Sequence, residues 1–254
     1  MIDLHSHILP ALDDGAKNEA DSIEMARIYQ ELGFNKVVGT PHIMEKSGYM
    51  VTGFEISEKV KTLNESLKEQ GIAVEVFPGA EYYLEGSFLK LADQRWPMTR
   101  INHTVYILVE MPALFVNQNM GLSFFNPSVK NPELKKELPF LRLILAHPER
   151  NEEVIKKPEV YIRMFKEQGM YIQMNLGSLL GYYGKAVKKA SEQILKTKMV
   201  DIIATDSHSP DQLRTYAAQG LERLNKLAGR KALDVLLNIN PNKVLMGEPL
   251  EPFY

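Results

Sequence analysis

With 254 residues, a formal charge of −2 and a pI near 6.3, the chain is long enough for one large α/β core and offers no bulk attraction to nucleic acid or anionic lipid. Its lack of cysteine excludes disulfides, thiolate metal sites and a cysteine nucleophile, leaving histidine, carboxylate, hydroxyl or bound water for any chemistry. There is no run of about 18 apolar residues and no basic-then-apolar leader ahead of the first strand, so a cytoplasmic protein without membrane insertion, one domain over residues 1–254, is expected.

Taken in chain order, short β-rich runs alternate with longer amphipathic ones. Ile2–His5 reads as a first strand, and Asn18–Leu32 as a helix with a polar start and Gly33 as its stop. Lys36–Thr40 follows as a strand, Phe54–Gln70 as a helix closed by Gly71, and Ala73–Phe77 and Thr104–Val109 as strands. Met111–Pro139 is irregular: Pro112, Pro127, Pro132 and Pro139 interrupt any long helix and leave room for a short one at Glu133–Leu138. Beyond it Arg142–Ala146 is a strand, Glu159–Gln168 a helix ended by Gly169, and Tyr171–Asn175 and Asp201–Ala204 are strands. Asp211–Leu227 and Lys231–Leu237 form a helical tail. Seven strands alternating with helices predict an α/β fold, a distorted seven-stranded (β/α)7 TIM-like barrel, although an open doubly wound sheet would give the same string. No repeat, low-complexity tract or linker marks a second domain.

The ligand-type residues fall at one end of this alternation. His5 and His7, His42, Glu81, Glu110, His147, and Asp206 with His208 lie at or just past the carboxyl ends of predicted strands, the active face of a barrel. His103 precedes its strand at the opposite end and is assigned no site role. The i, i+2 spacing of His5-Ser6-His7 and of Asp206-Ser207-His208 points both members of each pair to one side of an extended backbone. Asp13-Asp14-Gly15 adds carboxylates in the first loop, and so many acids in one cleft would repel one another without a cation. Each element alone has an ordinary reading: Asp-Gly is a common turn, Glu81 and Glu110 could be solvated charges, and His42 after Pro41 and His147 before Pro148 could be turn residues. Five of the six histidines at one end outweigh those separate readings. The donors suffice for up to three ions if a carboxylate bridges, and imidazole with carboxylate suits Mn, Fe or Zn better than Ca, with Mg alone disfavoured.

The motifs MIDLHSH at the start, TPH at 40–42, GAE at 79–81, LVE at 108–110, AHPER at 146–150 and TDSH at 205–208 occur in this order. Together they resemble the polymerase-and-histidinol-phosphatase (PHP) superfamily. The opening MIDLHSHILPALDDGA and the run LILAHPER are similar to its bacterial tyrosine-protein phosphatase branch, the manganese-dependent enzymes of capsule and exopolysaccharide operons. The likeness covers nearly the whole chain. It implies a seven-stranded distorted barrel of PHP type holding three metals, Mn first among them. His5, His7, Glu81 and Asp206 would surround the first metal, Glu81, Glu110 and His147 the second, and Asp14, His42 and His208 the third. Asp13 beside Asp14 leaves the choice between those two open. Arg150 matches a phosphate-binding arginine, and Arg214 a second one at a looser spacing after the Asp-x-His motif. Between Glu110 and Arg142 relatives carry a regular amphipathic helix, which prolines and Phe124-Phe125 break here.

The activity that the resemblance implies is hydrolysis of phosphotyrosine on a protein, such as a bacterial tyrosine kinase of exopolysaccharide synthesis. Metal coordination lowers the pKa of bound water, so in-line attack by hydroxide is expected. Arg150, Arg214 and His42 count as catalytic groups there, the guanidinium of Arg150 facing the charge of the phosphoryl oxygens. Three alternatives share parts of the pattern. A small-molecule phosphatase of histidinol-phosphate type would use the same metals. A barrel nuclease also opens with His-x-His, but this chain has no basic run beside the site. A non-enzymatic metal-binding scaffold would hold ions without turnover.

Overall fold

The computed structural model describes residues 1–84, 98–114 and 140–252, with positions 116, 132 and 136 between them. Among these residues the strands are β1 (Ile2–Ser6), β2 (Lys36–Gly39), β3 (His42–Met44), β4 (Tyr49–Met50), β5 (Glu75–Pro78), β6 (Glu81–Tyr83), β7 (Tyr106–Glu110), β8 (Arg142–Ala146), β9 (Tyr171–Asn175) and β10 (Ile202–Ala204). The seven expected strands are all present, with ends shifted by a residue or two. The three additional ones, β3, β4 and β6, have two or three residues each, too few for any periodicity to announce them. His42 is accordingly the first residue of a strand and not a turn residue.

The architecture is mixed α/β with parallel pairing throughout, apart from the antiparallel β3–β4 pair. One sheet has the order β1-β2-β5 and the other β10-β9-β8-β7-β6-β3-β4. The chain leaves the first sheet and enters the second twice, between β2 and β3 and between β5 and β6. Pro41 stands at one crossing and Pro78 at the other, and neither can donate to a ladder, so strand pairing changes partner beside each. The ends of the two sheets also meet. Ser6 bridges Ser207, the His7 amide donates to the Ser207 carbonyl at 2.9 Å, and the Asp206 amide donates to the His5 carbonyl at 2.9 Å.

The helices are α1 (Glu19–Glu31), α2 (Gly53–Glu69), α3 (Glu152–Lys156), α4 (Pro158–Glu167), α5 (Lys185–Lys196), α6 (Pro210–Asp234) and α7 (Asn240–Met246). Asn18 caps α1 by accepting from the Asp21 amide, Thr52 and Glu55 form a capping box at α2, and Ser209 caps α6 with Pro210 at its first position. Gly33, Gly71 and Gly169, expected as stops, follow α1, α2 and α4 with φ of +84°, +69° and +78°. The two expected tail helices are both present within α6: Gly229, at φ +82° and ψ 167°, is non-helical and separates them at a kink, and Val235–Ile239 continues the second as a π-helical turn. Helix α5 was absent from the sequence reading, although it buries Val187, Ala190, Ile194 and Leu195 along one stripe; it starts at Gly184 without a side-chain cap to mark it. The short helix expected at Glu133–Leu138, with Phe124-Phe125, Pro127 and Pro139, lies outside the described residues apart from position 136.

The strands are buried on both faces, which is why they read as nearly continuous apolar runs. Val37, Val76, Ile107, Leu145, Ile172 and Ile203 join the large cluster that includes the helices. Ile2, Leu4, Val38, Tyr106, Leu108, Ile144 and Ile202 form a second cluster, closed by Val244 and Leu245 of α7. A rigid floor therefore stands beneath the strand ends. No helix among the described residues is long and apolar enough to cross a membrane.

Candidate metal centre

Polar residues gather at or just past the carboxyl ends of β1, β2, β5, β7, β8 and β10. His5 is in β1 and His7 follows it; His42 lies past β2 and opens the short β3, Glu81 lies past β5 and opens the short β6, Glu110 ends β7, His147 follows β8, and Asp206 and His208 follow β10. His42 and Glu81 are register partners in the parallel β3–β6 pair, which puts both on one face. His147 and Asp206 hold left-handed backbones, with φ of +33° and +54°, a conformation that costs residues with a side chain of order 1–3 kcal/mol. Strand hydrogen bonds hold both: the His147 amide donates to the Gln173 carbonyl at 2.8 Å, and the Asp206 amide to that of His5.

The nine expected ligands do converge: His7, Asp14, His42 and His208 form one group, His5, His147 and Asp206 another, His5, His7 and Glu81 a third, and His42, Glu81 and Glu110 a fourth. The i, i+2 pair behaves as its spacing requires, since the His5 and His7 Nε2 atoms are 3.3 Å apart. Both face Asp206 Oδ1 at 3.3 Å, and Glu81 Oε2 lies 3.3 Å from His5 Nε2 and 3.6 Å from His7 Nε2. His147 Nε2 is 3.1 Å from Glu81 Oε1 and 3.8 Å from Glu110 Oε1. Exposure rises outward, from 0% at His5, His7 and Glu81 to 24% at His208 and 53% at Asp14. The site is thus a sealed floor with an open rim.

Asp13 and Asp14, indistinguishable in the sequence, separate here. Asp13 turns inward: Oδ2 accepts from His7 Nδ1 at 2.6 Å and from the His42 amide at 2.9 Å, and Oδ1 accepts from the Gly15 amide at 3.0 Å. Asp14 turns outward, its Oδ1 3.7 Å from His42 Nε2 and 3.6 Å from His208 Nε2. Gly15 permits this loop to lie against His7. A Cβ there would fall 2.3 Å from the His7 carbonyl oxygen and 2.4 Å from its Cβ.

The electrostatics follow from packing acids and imidazoles together in one buried group. Burial would raise Glu81, but His5, His147 and His42 hold it well below the usual carboxylate range. Burial would likewise raise Asp206, and His5, His7 and His147 hold it down. Burial alone would lower His5, and the surrounding Glu81 and Asp206 charges overcome it, raising the imidazole to about 9. Glu110, by contrast, is raised by burial and by the Glu81 charge. His208 is lowered to about 4 by burial and by neighbouring His7. Glu81 Oε2 and His42 Nδ1 sit 2.9 Å apart, yet both are buried without a hydrogen bond of acceptable geometry. Orphaned donors and acceptors of this kind are expensive unless a ligand completes them.

Over the floor opens a cleft of about 400 Å³, walled by Met44, Lys46, Tyr83 and Arg150. Arg150 donates to Asp206 Oδ2 at 2.9 Å and stacks 4.5 Å above the Tyr183 ring. Arg214 is placed differently: it pairs with Glu24 and lines an adjoining depression that contains Asp14 and shares His208 with the cleft. His103 lies on an exposed turn before β7, apart from the other five histidines. Several supporting residues escaped the sequence reading. Burial raises Asp3 while Tyr29 and Thr205 bond to it, at 2.7 and 2.6 Å, beneath the site; Glu149 accepts from the Asn175 amide and from Ser178 Oγ. A polar residue inside an otherwise apolar strand was the available signal for Asp3 in β1, as it was for Gln173 and Asn175 in Tyr-Ile-Gln-Met-Asn of β9; Tyr29, Thr205 and Glu149 lie outside strands and offered no such signal.

Fold and site define a class of protein: an α/β chain whose parallel strands present buried histidines and carboxylates at their carboxyl edge, spaced to hold cations. Residues 1–246 match the family described as capsular polysaccharide synthesis, CpsB/CapC, and the chain belongs to that family. It is 32% identical over 257 residues to tyrosine-protein phosphatase YwqE of Bacillus subtilis (strain 168), covering 99% of this chain and 96% of that one. Identity to tyrosine-protein phosphatase CpsB of Streptococcus pneumoniae is 28%, over 98% of this chain and 99% of the relative. The fold superimposes with a TM-score of 0.85 on a chain from the crystal structures of YwqE and CpsB, described as unique metal-dependent tyrosine phosphatases, at 32% identity and with 99% and 97% of the two chains covered.

Proposed function

We propose that this protein is a metal-dependent phosphoric monoester hydrolase that removes phosphate from tyrosine residues of proteins. The observation that carries the reading is the convergence of nine histidine and carboxylate side chains beneath a cleft with one arginine at its wall. Orphaned Glu81 Oε2 and His42 Nδ1 fit the addition of cations, as does a donor set of imidazole and carboxylate without thiolate. His5, His7, Glu81 and Asp206 would hold one ion, Glu81, Glu110 and His147 a second, and Asp14, His42 and His208 a third. Mn is the ion we favour over Fe, Zn or Mg. Bound ions of this type supply a water of lowered pKa and neutralise phosphoryl oxygens.

The chain's own residues do the rest. Asp13 fixes the His7 ring, so that Nε2 faces the floor. Arg150 holds a guanidinium at the cleft wall, where it can exchange Asp206 for two phosphoryl oxygens while remaining stacked on Tyr183. His42 sits between floor and rim, and Arg214 lies beside the depression that continues the cleft. Met44 and Tyr83 give the cleft apolar surface suited to an aromatic ring, whose phenolate leaves readily at its ordinary pKa near 10. The seven strand ends would then act as the rim of a distorted PHP-type barrel, closed through the Ser6–Ser207 bridge, within one domain of a cytoplasmic protein. We take the phosphoprotein to be a bacterial tyrosine kinase of exopolysaccharide synthesis, a reading with which the capsule family and the relatives' names as tyrosine-protein phosphatases are compatible.

The deciding measurement is kcat/KM of the Mn-loaded protein for phosphotyrosine peptides of unrelated sequence beside phosphoserine peptides and histidinol phosphate, with a chelated control. Similar efficiency across the phosphotyrosine peptides and a clear margin over the other two is expected. A preference for histidinol phosphate overturns the protein-phosphatase reading, and full turnover after chelation overturns the metal.

A further inference from the structure

Beneath the candidate ligands, β9 contributes two buried amides that touch two different ligands. Gln173 Oε1 lies 2.9 Å from His5 Nδ1, Gln173 Nε2 lies 2.8 Å from Asn175 Oδ1, and Asn175 Nδ2 lies 2.6 Å from Asp206 Oδ2. Both amides and both ligands are buried. The direction of this chain follows from chemistry alone. The Asp206 carboxylate, paired with Arg150, only accepts, so the Asn175 group facing it is the NH2. Asn175 Oδ1 therefore faces Gln173 and requires its NH2, which leaves Gln173 Oε1 toward His5. His5 Nδ1 must then carry a hydrogen, and Nε2 is the nitrogen that faces His7 and the carboxylates and holds the lone pair once the ring is neutral.

We infer that Gln173 and Asn175 are positioning residues, a directional amide relay that holds His5 as an Nε2 ligand and turns Asp206 so that Oδ1 faces the ion. The inference rests on the metal reading. It also explains how Asp206 stays oriented when Arg150 turns to a phosphoryl group: Asn175 remains on Oδ2. Tyr183, whose hydroxyl accepts from Asn175 Nδ2 at 3.3 Å, ties the relay to the ring that carries Arg150.

The test is Mn2+ titration calorimetry on the full chain, stripped of metal, for the parent, Gln173→Leu, Gln173→Glu and Asn175→Ala, with a thermal melt of each. Loss of a partner that orients a ligand weakens metal binding by about 10- to 100-fold, and this is expected for Gln173→Leu and Asn175→Ala. Gln173→Glu still accepts from His5 Nδ1 but loses the donor to Asn175 Oδ1, so it is expected to bind Mn2+ more tightly than Gln173→Leu and Asn175→Ala, while a buried charge lowers its metal-free melting temperature. If Gln173→Leu does not fold, the order of Gln173→Glu over Asn175→Ala decides. Parent-like affinity in Gln173→Leu or Asn175→Ala, with only a lower melting temperature, reduces the relay to packing and overturns it. A parent that binds no Mn2+, Zn2+ or Fe2+ overturns the metal reading and the relay with it, whereas equal binding by parent and variants removes the relay alone.

Discussion

Replacing Asp13 and Asp14 one at a time by asparagine tests whether one orients the site and the other, as proposed, holds an ion at its rim. Asp13→Asn keeps one acceptor oxygen where two now serve three donors: His7 Nδ1 at 2.6 Å, the His42 amide at 2.9 Å and the Gly15 amide at 3.0 Å. The new NH2 also opposes an N–H. One charge-assisted hydrogen bond lost from a buried position costs about 2 kcal/mol, which for a chain of this size lowers the melting temperature by roughly 4–8 °C. The freed His7 ring weakens Mn2+ binding by about 10- to 100-fold, equivalent to about 1.4–2.7 kcal/mol. Asp14 is 53% exposed and approaches His42 and His208 only at 3.7 and 3.6 Å, so Asp14→Asn leaves stability within about 0.5 kcal/mol. It removes a donor from the outermost group instead. Thermal melts and counting of bound Mn by elemental mass spectrometry read both effects. An unchanged melting temperature with one ion lost in Asp13→Asn, beside a full complement of ions in Asp14→Asn, would reverse the two assignments.

Metal uptake near pH 7 should release a proton from His5, whose raised value of about 9 means that it carries a proton the ion must displace; affinity therefore rises with pH up to about 9. His208, lowered to about 4, is already neutral there and releases none, so calorimetry of His5→Ala in buffers of different ionisation enthalpy should show reduced proton release, and parent-like release would refute the assignment. Gly15→Ala drives a methyl into His7 and should lower both melting temperature and turnover, whereas Gly48→Ala, with nothing within 4 Å of the added carbon, pays only for its left-handed backbone. His208→Ala should cut turnover by orders of magnitude with cooperative unfolding retained, while His103→Ala is nearly silent; equal loss in both would break the link between strand end and site. Arg150→Ala should lower kcat/KM by roughly 10²–10³-fold for every phosphate ester, and Arg214→Ala more for phosphopeptides than for p-nitrophenyl phosphate, which a side-by-side assay of both substrates checks.

Much of this site was legible because it is written in local terms. Which face a histidine takes depends on residues two positions away, and which end of a strand it occupies depends on a run of five, so His5, His7, His147, Asp206 and His208 were assigned from spacing, and His103 was set aside for the same reason. Helix ends at Gly33, Gly71 and Gly169 were equally local, since a glycine stop is a property of one residue's backbone. Only the tertiary structure separated Asp13 from Asp14, because identical neighbours differ solely in what the fold brings to them: a histidine and two amides for one, solvent and the rim for the other. It alone divided the seven expected strands between two sheets, added the short β3, β4 and β6 to the second, and set Arg214 against Glu24 rather than over the floor. It alone joined Gln173 to His5 across 168 positions of sequence, and Asn175 to Asp206 across 31. Periodicity reports the direction in which a side chain points, but a hydrogen bond is fixed by the partner at the other end, and that partner is supplied by the closure of the chain upon itself.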